Sequence, residues 1–249
     1  MNTQTNTPAG ESLLSVNHAR KKHGRLEVLK GLDLALVKGE LFALTGANGS
    51  GKTTLFKAIL DLNRLDKGSI RFGALSSELP HARSDVAYLP ENFCAPPYLT
   101  GREFLHTIVA LAGTDELDET TVQSVCTSLD FDMVILNRSV KYYSQGMTQK
   151  LGIAACLLSN KSFLIMDEPM NGLDPVARAL LKREFSRQRA LGTTILFSTH
   201  LLSDVTGLAD RMAILHNGHL HFIGNPAELV KQYQTTDLES AYLSCLSAE

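Results

Sequence analysis

The chain has 249 residues, 44% of them hydrophobic, and a formal net charge of −2. That length and composition suit one large α/β domain or two small ones with a substantial core, and the near-neutral charge gives no global basis for nucleic-acid binding. No apolar run approaches the ~20 residues that cross a bilayer, and Cys94, Cys126, Cys156 and Cys245 lie scattered without a CxxC pair, which reads as reduced thiols in a cytosolic protein rather than disulfides.

Residues 1–11 are polar, without the basic start and apolar stretch of a signal peptide, and read as a flexible tail. Leu26 to Val37 is strand material, broken at Lys38-Gly39-Glu40. Leu41-Phe42-Ala43-Leu44-Thr45 is a short buried strand, and it runs into Gly46-Ala47-Asn48-Gly49-Ser50-Gly51-Lys52-Thr53. This stretch fits GxxxxGK[ST], the loop that wraps the phosphates of a nucleoside triphosphate. Glycines let the backbone turn tightly and bring its N–H groups close to an anion. A helix predicted from Lys52 to Leu62, with Leu55, Ile59 and Leu62 on its buried side, points its positive end at the same anion. Lys52 reaches the outer phosphates, and the Thr53 hydroxyl is a ligand for Mg²⁺.

Ser69 to Phe72 and Asp85 to Leu89 are further short strands. From Glu91 the periodicity turns helical. Thr100 and Glu103 form a capping box, with Leu99 and Phe104 at staple positions, and the helix that follows is predicted to bury Phe104, Leu105, Ile108 and Leu111. A second helix carries Val122, Val125 and Leu129 on one face. Tyr143-Ser144-Gln145-Gly146-Met147 opens a third, with Ser144 as its N-cap, running to about Leu158. This block reads as an all-helical insert in an α/β core.

The α/β pattern then resumes. Phe163-Leu164-Ile165-Met166 is continuously apolar, as in a strand covered on both faces. Asp167 and Glu168 follow it. An acid at a strand end beside a phosphate loop can hold Mg²⁺, and its neighbour can polarise an attacking water. Asp174 and Pro175 start the next helix and Gly192 ends it. Thr194 to Phe197 is another buried strand. Arg211 to Leu215 and Leu220 to Ile223 flank His216-Asn217-Gly218-His219 as a hairpin, and Pro226 to Gln234 and Leu238 to Leu246 read as short helices. His219 and His221 are expected on one strand face, but no Cys or carboxylate joins them or His216, so the trio reads as a solvated hairpin rather than a metal site.

With these motifs in this order, from about Leu14 to Leu229, the chain resembles the nucleotide-binding subunit of ATP-binding cassette (ABC) transporters. Gly46 to Thr53 resembles the Walker A loop, Phe163 to Glu168 the Walker B strand, Tyr143 to Met147 the LSGGQ signature, Asn171 to Asp174 the D-loop, and His200 the switch histidine. The resemblance implies an α/β P-loop NTPase (RecA-like) core over residues 12–92 and 153–225. It also implies an antiparallel β subdomain, an all-helical subdomain over 93–152 and short C-terminal helices over 226–249.

The resemblance further implies ATP with Mg²⁺. Gly46, Ala47, Asn48, Gly49, Ser50, Gly51, Lys52, Thr53, Thr54, His23, Ser144 and Gly146 would hold the nucleotide. Thr53, Asp167 and Glu91 would hold the metal, and Glu168, His200 and Lys52 would serve catalysis. Three positions depart from the family pattern. Gln145 replaces a signature glycine, as in relatives serving export-type partners. Glu91 stands where glutamine is usual, and His23 where an aromatic stacks on adenine.

The implied partners are a second ATPase subunit, identical or not, and a multispanning permease in a separate chain, with the pair peripheral at the cytoplasmic face of the membrane. The short C-terminus leans the same way as the signature, towards export. Phe93, Tyr98 and Leu99 are expected either to line the docking groove for that permease or simply to staple the helix start. The competing classes are a soluble ABC ATPase acting on DNA or ribosomes, and a small-molecule phosphotransferase. The first would carry a long coiled coil or a second cassette, and the second has no use for the Ser144 helix start.

Overall fold

The computed structural model describes residues 11–113 and 117–247. The flexible-tail expectation for the N-terminus falls almost wholly outside them. The strands are β1 (Ser12–His23), β2 (Leu26–Val37), β3 (Leu41–Thr45), β4 (Lys67–Phe72), β5 (Leu75–Ser76), β6 (Val86–Leu89), β7 (Phe163–Met166), β8 (Thr194–Thr199), β9 (Arg211–His216) and β10 (His219–Gly224). The helices are α1 (Lys52–Ile59), α2 (Gly101–Leu111), α3 (Glu119–Ser128), α4 (Gln145–Leu158), α5 (Pro175–Ala190), α6 (Pro226–Gln232) and α7 (Leu238–Ser247).

Two sheets organise the chain. The larger has the order β10-β9-β3-β8-β7-β6, and β9, β3, β8, β7 and β6 run parallel with β10 antiparallel at one edge. Its strands are covered on both faces, which is why they read as unbroken apolar runs. Phe42, Leu44, Phe163 and Ile165 pack with Leu55, Phe56 and Ile59 of α1 and with Leu14, Leu29 and Leu36 of the smaller sheet. Leu41, Ala43, Leu164 and Met166 pack on the other face with Leu151 and Ala154 of α4 and Leu181 and Phe185 of α5. The smaller sheet is antiparallel, in the order β2-β1-β4-β5.

Several local expectations change. Strand β1 is absent from the sequence reading because its alternation breaks where His18 adopts φ 48° and the register with β2 shifts between Val16 and Ala19. Helix α1 stops at Ile59, and Leu62 is 66% exposed. Asp61 takes φ 56° there, Leu62 N donates to Lys57 O (2.8 Å) and Asp61 N to Ala58 O (3.1 Å), a Schellman ending built without glycine. Leu111, in the last turn of α2, is exposed rather than buried.

The Thr100–Glu103 capping box is present, and Ser144 caps α4 by accepting from Met147 N. In the hairpin, His219 pairs with His216 across the turn, the register shifts between Leu220 and Phe222, and His221 meets His216 edge to face at 5.6 Å. The cysteines are free thiols, and burial pushes the Cys126 thiol up to about 11 and that of Cys156 to about 12.

Candidate functional site

Strand order creates the site. β8 lies between β3 and β7, so three carboxyl ends converge at one sheet edge. β3 delivers the glycine loop, β7 delivers Asp167 and Glu168, and β8 delivers Thr199 and His200. The loop admits little but glycine at two points. A Cβ on Gly46 would lie 2.2 Å from Leu215 O, and Gly51, the N-cap of α1, takes φ 114°. No side chain caps α1, so its first N–H groups face the cleft.

A cavity of about 280 Å³ sits over this edge. It is lined by His23, Asn48, Gly49, Gly51, Lys52, Thr53, Thr54, Glu91, Asp167 and Glu168 among others. Lys52 is 6% exposed; its Nζ donates to Gly46 O (2.7 Å) and lies 3.2 Å from Glu168 Oε1. Glu168 Oε2 is 2.9 Å from His200 Nδ1. The three groups form one chain of contacts, ammonium to carboxylate to imidazole. His23, at the end of β1, sits at the mouth with Nε2 3.4 Å from Thr54 Oγ1.

Two features escaped the sequence reading. Ser198 is fully buried on β8 and donates to Asp167 Oδ1 (2.5 Å) while accepting from Glu168 N (2.8 Å). These bonds hold Glu168 at φ 50°, a left-handed conformation unusual for a long side chain. Its signal was only a hydroxyl in an apolar strand. Tyr88, on β6, has a buried hydroxyl with no hydrogen-bond partner among the described residues. Burial, then the charges of Asp167 and Glu91, push its phenol well above the usual tyrosine range.

Ser144 and Gly146 are not in this cavity. Ser144 is exposed at the start of α4. A Cβ on Gly146 would come within 3.0 Å of Gly172 O, so the signature-like helix start packs against the turn from Asn171 to Asp174. Gln149 Nε2 donates to Pro169 O (2.9 Å), tying α4 to the segment just after Glu168.

Residues 29–171 match the ABC transporter family. The chain belongs to that family, whose cassettes are ATPases. An uncharacterised ABC transporter ATP-binding protein of Nostoc sp. is 37% identical over 215 residues, covering 83% of this chain and 62% of the relative. The sn-glycerol-3-phosphate import ATP-binding protein of Brucella abortus is 29% identical over 229 residues, 90% of this chain and 65% of its own. This cassette thus spans under two thirds of the length of each of these relatives. A solved ATP-binding subunit of an ABC transporter superposes with a TM-score of 0.82 at 29% identity, covering 94% of this chain and 99% of that one. The cassette's fold, two sheets with a phosphate loop at the carboxyl edge, is the P-loop NTPase fold of these proteins.

Proposed function

We propose that this cassette hydrolyses ATP as one of a pair of ATPase subunits and so drives a multispanning membrane permease carried on a separate chain. One observation carries the reading. The cavity gathers Lys52, Thr53, Asp167 and Glu168, whereas Ser144, exposed, and Gly146, half-buried, stand outside it. Each chain therefore offers half of a site, and a two-fold pairing lets each half complete the other.

The phosphates lie along Gly46 to Thr54 at the positive end of α1, with the base near His23. Lys52 leaves Gly46 O and Glu168 to take the β- and γ-phosphate oxygens. Freed from Lys52, Glu168 orients a water for in-line attack on the γ-phosphorus; the bond to the bridging oxygen of ADP breaks as the water oxygen bonds. His200 hydrogen-bonds the transferring group and is itself positioned by Glu168. The Mg²⁺ corner fits these residues: Asp167 Oδ2 is buried without a donor among the described residues, and Thr53 and Glu91 line the same cavity. Held there, Mg²⁺ would supply neutralisation of phosphate charge.

The permease contacts the helical side. A largely apolar groove of about 320 Å³ runs between β6, α2 and α4, lined by Leu89, Phe93, Phe104, Ile108 and Leu111, with Lys161 at its rim. Phe93 stacks on Phe104 at a centroid distance of 5.6 Å, while Tyr98 is 79% exposed beyond the helix start. An apolar segment of the permease fits this groove and holds the cassette at the cytoplasmic face. The Tyr143–Met147 signature favours export as the direction. An import relative stands beside that reading, so direction is tested in vesicles.

The deciding experiment is Glu168→Gln with ATP. It should bind ATP, turn over at least ~10²-fold more slowly and double in mass by light scattering. A variant that stays monomeric in saturating ATP counts against the paired site.

A further inference from the structure

Two complementary polar atoms lie buried beside the cavity, and the pairing of β6 with β7 puts them on one face. Tyr88 is opposite Ile165 and Leu89 opposite Met166, and Asp167 N donates to Leu89 O (2.8 Å), one step further along. Side chains alternate along a strand. Leu89 and Met166 belong to the core on the α4 side, whereas Tyr88 packs with Ile165 in the core on the α1 side. Alternation puts Asp167 on that same α1 side. Tyr88 and Asp167 are then diagonal neighbours on adjacent parallel strands, about 8 Å apart from one strand spacing and two residues' rise, which an aromatic side chain spans.

At the end of that reach, Tyr88 Oη is buried with no acceptor, and Asp167 Oδ2 is buried with no donor, among the described residues. Packing against Ile165 needs only a phenylalanine ring. A buried hydroxyl without a partner is costly, so the oxygen calls for a use beyond packing. A phenolic O–H is a hydrogen-bond donor at neutral pH.

We infer that Tyr88 is a positioning residue of the cation corner: its O–H donates through one ordered water to Asp167 Oδ2 and fixes the direction from which that carboxylate meets Mg²⁺. Outer-shell partners of this kind typically change metal affinity 10- to 100-fold. The inference rests on the assignment of Mg²⁺ to Asp167 and Thr53, and the test separates the two.

ATP affinity is titrated in EDTA and across a Mg²⁺ series for the parent, Tyr88→Phe and Asp167→Asn. In Tyr88→Phe the affinity in EDTA and the melting temperature should stay at parent values, while the Mg²⁺ concentration for half-maximal tightening rises about tenfold. Asp167→Asn should lose most of the Mg²⁺ response. A parent-like Mg²⁺ midpoint in Tyr88→Phe overturns the inference and leaves the cation assignment standing, and so does a shift in melting temperature and EDTA affinity with the midpoint unmoved. A parent-like response in Asp167→Asn overturns the assignment and the inference together.

Discussion

Lys52 is buried and engaged on two sides. Its ammonium lies between a carbonyl of its own loop and the Glu168 carboxylate, 2.7 and 3.2 Å away. Under the proposed function, ATP binding would be an exchange of partners, with phosphate oxygens replacing Gly46 O and Glu168 turning toward water and His200. A hydrogen bond to a charged group is worth ~1.5–3 kcal/mol net, so Lys52→Ala should weaken ATP binding on the order of 10- to 150-fold. Calorimetric titration reads this directly, and unchanged affinity would contradict the assignment. Ser198 works at the same scale: its hydroxyl donates to the Asp167 carboxylate, accepts from the Glu168 N–H and keeps Glu168 in a backbone conformation that costs about 1–3 kcal/mol.

Among the elements, α5 joins the sheet to the helical side through Glu184. That carboxylate is 2% exposed, accepts from Arg187 (2.7 and 2.9 Å) and from Gln188 (2.9 Å), and faces the hydroxyl-lined cleft along α3. Burial pushes its pKa up, but the bonds from Arg187 and Gln188 outweigh burial and hold it below the ordinary 4.5. A depressed carboxyl contributes stability above its unfolded pKa and loses it as pH falls through the folded value. The stability gap between the parent and Glu184→Gln, followed by thermal melting, should therefore be open near neutrality, at about 1–2 kcal/mol given the exposed Arg187 partner, and should shrink as pH falls from the ordinary 4.5 through the lower folded value. A gap independent of pH would remove the charge from the explanation. Elements with a local rule were readable in the sequence: β3 and β7 as unbroken apolar runs, α2 by its capping box, the phosphate loop by its glycines. β1 was not, because a bulge at His18 cuts its alternation and Arg20 to His23 hide its last turns of pleat. The site divides the same way. Asp167 and Glu168 sit in one local pattern, whereas Ser198 and Tyr88 acquire meaning only from the strands beside them, β8 and β6 pairing with β7.

For the whole molecule, the separation of Ser144 from the phosphate cavity would set how nucleotide and assembly are linked in the proposed pair. ATP can close a pair only by touching the closed state more than the open one, and the proposed pairing assigns that extra contact to the start of α4, where Ser144 is exposed. Gly146 has little room, since a Cβ there would lie 3.0 Å from Gly172 O. Gly146→Asp would push that turn and set a carboxylate against the γ-phosphate held by the mate. ATP binding to the variant's own loop should persist, because Lys52 and Thr53 are untouched. ATP-dependent pairing in a Glu168→Gln background should disappear, and turnover of Gly146→Asp alone should fall at least ~10²-fold, the scale of losing a preorganised transition-state donor. Light scattering with and without ATP, beside a binding titration, distinguishes these effects. If the doubly substituted chain still pairs in ATP, the start of α4 is not the contact that closes the site, and the two halves must meet through another surface.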